Sequence, residues 1–296
     1  MKKKVIKITL TLQDGVETFT AQGDNRLSST GLAISANITY GNGSISPTAQ
    51  ITVHNLPMDT MIKLMRKQWN TMQALLNTVK IEVGEQGDPL KVAYEGNITF
   101  ATINTDSAPD VSLVITSQMA VVEKMKPTEP FVVNKNEKID AADIVRFLAH
   151  DMQYEYKNYG VSHIITDTTL NGSNIEKINK LAQMCDFDLY IDQREIAICK
   201  KGGSRELKIP VITPNTGLIG YPAPDQRGIV FTCAYDPLVR FGGIVQIRES
   251  IIGHVVNQDW RVYGLVATLE ANIPQGKWQM NVNATWRNSK YAAVQR

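Results

Sequence analysis

Histidine is the first side chain to test for chemistry, because it binds metals and transfers protons near neutral pH. The chain has four, His54, His150, His163 and His254. None has a second histidine, cysteine or glutamate at the short spacing of a zinc site. His150 falls near the end of a predicted helix, where a cation is favoured. We therefore predict no metal site.

The spacing of the cysteines and serines does not indicate a catalytic nucleophile either. Cys185, Cys199 and Cys233 are odd in number and lack C-x-x-C spacing, which disfavours disulfides and zinc. Each cysteine lies among apolar residues, so we predict small buried side chains. The chain has no G-x-S-x-G elbow, P-loop or GxGxxG turn. The sequence thus predicts no catalytic residue and no cofactor site, and a protein that is not an enzyme.

The carboxylates of the chain are compatible with one class of reaction, glycoside hydrolysis. The chain offers many, among them Glu82, Glu85, Glu95, Asp106 and Asp110. Because the two acids of a glycosidase need be close only in space, sequence spacing cannot exclude such a pair.

Charge and composition exclude several classes of protein. The chain has 296 residues, 43% hydrophobic and 20% charged, with a net charge of +2. This composition is globular and predicts two or three domains. Lys2–Lys4 form the densest basic patch, which we interpret as a solvated strand start rather than a nucleic-acid site. No apolar run is long enough to span a membrane, and no signal-peptide core follows the lysines, so we expect synthesis in the cytoplasm.

The first third of the chain alternates apolar and polar residues with period two, which predicts antiparallel strands of a sandwich or barrel. The predicted strands cover residues 6–12, 32–40, 51–53, 78–83, 90–103 and 111–117. Asp14-Gly15 predicts a hairpin turn, and Gly41-Asn42-Gly43 ends the second strand. One helix begins near Pro57, with an apolar stripe that includes Met61, Leu64, Met65, Gln68 and Met72.

The middle of the chain changes to a mixed pattern after a linker at Pro127 and Pro130. A helix is predicted over 140–154, with Ile144, Phe147 and Leu148 on its apolar face, followed by a short strand over 161–166. Tyr154, Tyr156 and Tyr159 are interpreted as a packed or partly exposed helix end.

A second predicted helix, over 173–186, begins at a capping box of Ser173 and Glu176. A hairpin over 188–199 turns near Asp192-Gln193, and residues 200–204 form a flexible join. The two helices beside short strands resemble the LysM arrangement of cell-wall binders, so glycan binding stays open.

The last third returns to period-two alternation and repeats the order of the first third. Four segments align with four earlier ones: 51–57 with 231–237, 79–83 with 244–248, 93–99 with 261–267, and 111–116 with 278–283. A proline-containing turn precedes the last segment of each copy, at Pro109 and Pro274. The repeat predicts two related β domains in one chain.

The chain resembles the central baseplate hub protein of contractile bacteriophage tails. The resemblance is carried by the run Thr216-Gly217-Leu218-Ile219-Gly220-Tyr221-Pro222, by Gly228 with Asp236-Pro237 and Gly242-Gly243, and by Gly276-Lys277-Trp278. Asp236 stands where this family often has asparagine. The segments 51–57 and 94–98 fit the same pattern, so the resemblance covers nearly the whole chain.

The resemblance implies a mainly β fold of two tail-tube-like antiparallel barrels joined by a small α+β module. The implied boundaries are 1–122 for the first barrel, 123–206 for the LysM-like middle module and 207–296 for the second barrel. It implies a structural homotrimer whose six barrels form a pseudo-hexameric ring. That ring would adapt the six-fold tail tube to the three-fold puncturing spike.

The same resemblance implies the partners and the location. They are the tail tube protein, a separate spike protein and other baseplate proteins, in a virion assembled in the cytoplasm of the host bacterium. Whether genomic DNA passes through the lumen stays open, as does origin in a phage or a contractile bacteriocin. The alternative is a tail-associated protein that binds glycan or hydrolyses peptidoglycan.

Overall fold

The computed structural model describes residues 2–12, 15–20, 32–40, 46–68, 76–106, 108, 110–252 and 256–287. The fold is mainly β, as the alternation predicts. The chain forms two compact units. Unit 1 comprises Met1–Thr39, Pro47–Val121 and Val266–Met280; unit 2 comprises Tyr40–Ser46, Val122–Leu265 and Asn281–Arg296.

Unit 1 is built on an antiparallel sheet. Its elements are β1 (Lys4–Leu12), β2 (Gly15–Thr20), β3 (Ile34–Tyr40), β4 (Thr48–His54), α1 (Met58–Gln68), β5 (Thr78–Glu85), β6 (Lys91–Asn104) and β7 (Ser112–Gln118). The strand order is β3-β4-β7-β6-β5-β1-β2, with every neighbouring pair antiparallel.

The period-two pattern explains which side chains form the core of unit 1. In β1, Ile6, Ile8 and Leu10 are buried, and Ile8 lies opposite the buried Ile81 of β5. Helix α1 begins after Pro57 and buries Met61 and Leu64 of the predicted stripe. Met72 and the predicted glycine turn at 41–43 lie outside the described residues, as does Asp14 of the first hairpin turn.

The middle of the chain, which lies in unit 2 apart from Val121, is mixed. It comprises α2 (Val121–Met125), β8 (Phe131–Val133), β9 (Ile139–Asp140), α3 (Ala141–Asp151), β10 (Glu155–Tyr159), β11 (Ile164–Ile165), β12 (Thr168–Leu170), α4 (Asn174–Met184), β13 (Phe187–Asp192) and β14 (Glu195–Lys200). Strands β10, β14 and β13 form a three-stranded sheet, β8 pairs with β12, and β9 pairs with β11.

Local signals place the two longer helices of this module. Asp140 caps α3, its carboxylate accepting a hydrogen bond from the Ala142 amide. The predicted capping box of α4 is confirmed: Ser173 accepts from the Glu176 amide, and the Glu176 carboxylate accepts from the Ser173 amide. The hairpin of β13 and β14 is confirmed as well, and its turn residues Gln193 and Arg194 have positive φ.

Two expectations for this module are wrong. Residues 155–159 form strand β10, parallel to β14, instead of ending a helix. Phe147 is 60% exposed, although Ile144 and Leu148 beside it are buried as predicted. The predicted strand over 161–166 shortens to β11, because only Ile164 and Ile165 find a partner strand.

The last third supplies β15 (Val211–Ile212), β16 (Leu218–Asp225), β17 (Gly228–Ala234), β18 (Ile244–Ile247), β19 (Asp259–Ala271) and β20 (Trp278–Trp286). The strand order is β16-β17-β20-β19-β18, and β15 lies parallel beside β18. This order matches β3-β4-β7-β6-β5 strand for strand. The four aligned segments of the sequence repeat are therefore four equivalent strands, β4, β5, β6 and β7 against β17, β18, β19 and β20.

Closure into barrels is not observed. Among the described residues, no sheet closes on itself. The two-barrel arrangement and the boundaries 1–122, 123–206 and 207–296 therefore stay predictions.

Candidate functional site

The histidines that sequence analysis considered lie in separate elements. His54 belongs to β4, His150 lies in the last turn of α3, and the His163 amide donates to Asp140. His254 lies outside the described residues. Across the described ranges, no group of three or more histidine, cysteine, aspartate or glutamate side chains could hold a metal ion.

The cysteines are buried and free, as predicted. Burial raises the pKa of Cys199 to about 12, and the nearby Asp188 carboxylate adds to this rise. Burial also raises the pKa of Cys233 to about 12, with a smaller contribution from Asp236. Because the thiolate is the nucleophilic form, neither side chain is reactive at neutral pH.

The basic start of the chain is matched by carboxylates. Lys2 Nζ lies 2.8 Å from Asp88 Oδ1, and Lys4 Nζ lies 2.5 Å from Glu85 Oε1. These ion pairs occupy two of the three lysines that a nucleic-acid site would need, which fits the interpretation as a solvated strand start.

The carboxylates considered for a glycosidase pair include Glu82, which holds two lysines. Lys7 Nζ lies 3.2 Å and Lys80 Nζ 3.5 Å from its carboxylate oxygens. Partial burial favours a higher pKa for Glu82, but the two lysines outweigh it and the pKa is lowered. A glycosidase acid needs a raised pKa, and Glu82 therefore does not fit that role.

The most concentrated set of charges was not anticipated from the sequence. Six charged side chains meet inside unit 2, and we call them the charge cluster: Asp188, Asp192, Glu195, Arg205, Arg240 and Arg261. Three come from the hairpin β13–β14, and the arginines come from the segments that follow. Asp188, Asp192, Arg205 and Arg261 are at most 3% exposed.

Arg205 is the centre of one half of the cluster. Its Nη1 donates to Asp192 Oδ2 at 3.0 Å and to the Phe241 carbonyl at 3.0 Å, while Nη2 donates to Glu195. Arg240 Nε also donates to Asp192 Oδ2, at 2.9 Å. Burial alone would lower the pKa of Arg205, but the Asp192 and Glu195 carboxylates raise it above its usual value. The guanidinium is therefore held in its charged form.

Arg261 and Asp188 form the other half. Arg261 Nη1 donates to the Gly203 carbonyl at 2.7 Å and to Asp188 Oδ2 at 3.2 Å. Asp188 Oδ2 also accepts from the Gly202 amide at 3.0 Å. The join at 200–204, expected to be flexible, is therefore a hydrogen-bonded turn around a buried carboxylate.

The arrangement orients the segments that carry the charges. Each carboxylate of the cluster is paired with at least one arginine. The sequence does contain a signal for the cluster, because Asp188, Tyr190 and Asp192 are spaced two residues apart on one strand and therefore share a face. Alternation alone favours solvent for such a polar face, which is why the cluster was missed.

Two exposed surfaces complete the candidate sites. On β16 and β17 of unit 2, Ile219, Tyr221 and Val230 are exposed together with Thr232, which is partly exposed. In the middle module, Phe147 contacts the ring of Phe131, with 5.9 Å between ring centroids.

The three tyrosines considered for a glycan site point to other partners. The Tyr156 hydroxyl donates to the Ala142 carbonyl. Tyr154 lies under the Arg194 guanidinium, with the guanidinium carbon 5.8 Å from the ring centroid. Tyr159 is partly exposed. Tyr156 and Tyr154 are therefore engaged by Ala142 and Arg194. Among the described helices, none is both long and apolar enough to cross a membrane.

Comparison with solved structures finds this fold in tail proteins. A 43 kDa tail protein of prophage MuSo2 from Shewanella oneidensis matches with a TM-score of 0.61 and 8% identity, covering 95% of this chain and 97% of that one. A tail protein from Neisseria meningitidis MC58 matches with a TM-score of 0.62 and 7% identity, covering 95% and 96%.

A third match is the E. coli c3393 protein, described as a component of the type VI secretion system with structural similarity to the T4 bacteriophage tail proteins gp27 and gp5. Its TM-score is 0.58 at 10% identity, covering 89% of this chain and 75% of that one. At these identities the likeness shows the fold alone. A search of curated protein sequences finds no match.

The sequence itself decides the family. The family model described as baseplate hub gp41 matches residues 5–272, a range that includes the first strand set, the middle module, every residue of the charge cluster and the second strand set except β20. The chain belongs to the baseplate hub gp41 family.

Proposed function

We propose that this protein is the structural hub of a contractile phage tail, acting as a homotrimer that adapts a six-fold tail tube to a three-fold spike. The observation that carries the proposal is the repeated strand order in a member of a baseplate hub family. One chain supplies two equivalent strand sets, so three copies supply six. Closed rings follow when head-to-tail contacts between copies have a rotation that closes.

The exposed face of β16 and β17 supports an assembled state. Ile219, Tyr221 and Val230 are apolar or aromatic side chains on a solvent-exposed sheet surface. Such surfaces are often covered in assemblies. The proposed partners are the tail tube protein, a separate spike protein and other baseplate proteins, in a virion assembled in the host cytoplasm.

The proposed role is not enzymatic. Support comes from the family and from the state of the groups that could react: the thiols are buried with raised pKa values, and the cluster carboxylates face arginines. Two tail-tube-like barrels joined by the middle module, with boundaries at 122/123 and 206/207, belong to the same proposal.

The decisive experiment is the native mass of the purified chain, alone and co-expressed with candidate tube and spike chains. We expect a species of three times 32.9 kDa in at least one sample. A monomer in every sample, or a dimer, would overturn the trimeric ring. As a matched pair, Tyr221→Asp should reduce trimer formation more than Phe147→Asp, because only Tyr221 lies on the exposed face of β16.

A second candidate function, glycan binding, is favoured by the exposed Phe147 and the partly exposed Phe131 beside it, since aromatic faces stack on apolar surfaces of ligands. Co-sedimentation with purified peptidoglycan tests it. If the aromatic pair binds glycan, Phe147→Ala should abolish co-sedimentation, whereas Ile164→Ala, an equally exposed change in the same module, should not. Release of soluble muropeptides would instead support the hydrolase alternative.

A further inference from the structure

The strand β13 is buried on both faces, and its two faces contact different parts of unit 2. Leu189 and Ile191 are buried on one face of the strand, and α4 packs near β13. Asp188, Tyr190 and Asp192 alternate with them and therefore share the opposite face. A strand with a polar face normally turns that face to water, so its burial here needs a partner surface.

The partner surface is formed by the segments after the hairpin. Asp188 accepts from Arg261, and Asp192 accepts from Arg205 and Arg240. These arginines lie near or within the second strand set, up to 73 residues away along the chain from their carboxylates. The polar face of β13 is therefore joined to the second strand set by directional, charge-assisted hydrogen bonds.

Tyr190, between the two aspartates, fixes the same contact sterically. Its ring stands edge-on to Phe241, with 5.1 Å between centroids. Gly242 lies against this ring so closely that an added Cβ would be 2.7 Å from a ring carbon, and its φ is +77°. The close contact between the Tyr190 ring and Gly242 fixes the distance between the hairpin and the second strand set. The ion pairs of Asp188 and Asp192, on either side of Tyr190, fix how the hairpin is aligned along that surface.

Buried ion pairs are better suited to orientation than to stability. Desolvation offsets much of their attraction, but any shift that separates them leaves charges buried without partners. An apolar contact would tolerate sliding, because dispersion and apolar burial are not directional.

We propose that the charge cluster is a rigid joint, which makes the middle module and the part of the second strand set that lies in unit 2 one mechanical body. A force applied to the middle module is then passed to this part of the second strand set without bending at residues 200–208. The inference concerns the chain alone and stands whether or not the protein is a trimer.

The test is limited trypsin digestion, because Lys200, Lys201 and Lys208 flank the joint. We compare the wild-type chain with Asp192→Asn, which keeps the shape of the side chain and removes the charge held by two arginines. The matched control is Asp186→Asn, in the residue just before β13, where the side chain is 77% exposed and pairs with Lys201. Hydrogen exchange of α3 and α4 shows in parallel whether the module is still folded.

We expect Asp192→Asn to raise the cleavage rate at these lysines at least tenfold while exchange in α3 and α4 stays near wild type, and Asp186→Asn to change neither. Cleavage of Asp192→Asn within twofold of wild type would overturn the joint. If Asp192→Asn fails to fold, Arg240→Gln decides, because Arg240 is partly exposed and its loss leaves the Arg205–Asp192 pair in place. Arg240→Gln should then raise cleavage severalfold, and wild-type resistance would contradict the proposal.

Discussion

The two strand sets have the same order and differ in what lies beside them. In the first set, β5 is followed by β1 and β2, a long antiparallel extension whose outward face carries the ion pairs Lys7–Glu82 and Lys80–Glu82. In the second set, β18 is followed by the two-residue parallel strand β15, and the neighbouring charges are buried in the charge cluster. The same strand order is thus extended by two antiparallel strands in the first set, and by a short parallel strand beside buried charges in the second.

This difference shows what each kind of charge can do. In the ion pairs of the first set, Glu82 is partly buried but both lysines remain exposed to water, where attraction between charges is weak. The buried charges of the second region lose their water and are held by one another and by nearby backbone groups, so they define a single arrangement. We expect the stability of the first strand set to depend on apolar packing, and that of the second strand set to depend on both apolar packing and ion pairs.

The largest expected effect separates the two regions through matched core positions. Ile51 and Phe231 align in the repeat and are both buried. Ile51→Ala and Phe231→Ala should each destabilise by about 2–5 kcal/mol, because each leaves a cavity. All three cysteines lie in unit 2, so thiol labelling reports on that unit. Phe231→Ala should therefore speed labelling, and Ile51→Ala should not.

Equal acceleration of thiol labelling by both variants would break the comparison, since it would mean that the two units open together. Labelling in denaturant, where all three thiols react, provides the reference rate.

A second pair of matched positions tests close packing in the strands. A Cβ on Gly96 would lie 2.4 Å from the Tyr94 hydroxyl, whereas a Cβ on the aligned Gly264 would lie 3.1 Å from the Asn283 amide nitrogen. We expect Gly96→Ala to cost about 1–3 kcal/mol from overpacking and Gly264→Ala less, because the Asn283 side chain can move aside. Denaturant midpoints measure both, and adding Tyr94→Phe to Gly96→Ala should recover part of the loss. A larger loss for Gly264→Ala would contradict this reading.

A smaller effect concerns the cap of α3 and its pH dependence. Partial burial favours a higher pKa for Asp140, but hydrogen bonds from Ser162 and the Ala142 and His163 amides outweigh it and lower the pKa. The cap therefore stabilises above the unfolded pKa of about 3.9, and its contribution is lost as pH falls through the lower folded value. Asp140→Ala should cost about 1 kcal/mol at pH 7 and less at pH 2–3. A cost that is independent of pH would contradict the cap.

The smallest effect is expected from the ion pairs of the first set. Glu82→Gln should change stability by less than about 1 kcal/mol, and the difference should shrink in 1 M salt, because surface pairs are screened. A loss from Glu82→Gln as large as that from Asp192→Asn would remove the distinction between the two regions. Thermal unfolding of both variants at two salt concentrations measures it.

Local patterns of the sequence determined most of the secondary structure. Alternation located the long strands, Ser173 and Glu176 located the start of α4, and the aligned segments of the repeat proved to be equivalent strands. These signals act within a few residues, through side-chain direction and hydrogen bonds to the nearby backbone. They also supplied the family resemblance.

Only the tertiary structure decided where polar faces and exposed aromatics lie. Alternation along β13 places Asp188 and Asp192 on one face, but the burial of that face depends on Arg261 and Arg240, which are distant in the chain. Phe147 is exposed because α3 buries the neighbouring Ile144 and Leu148 instead, and residues 155–159 become a strand because β14 offers an edge. The period of a pattern fixes which side chains share a face, whereas the partner of that face is set by contacts between distant segments, which no local pattern encodes.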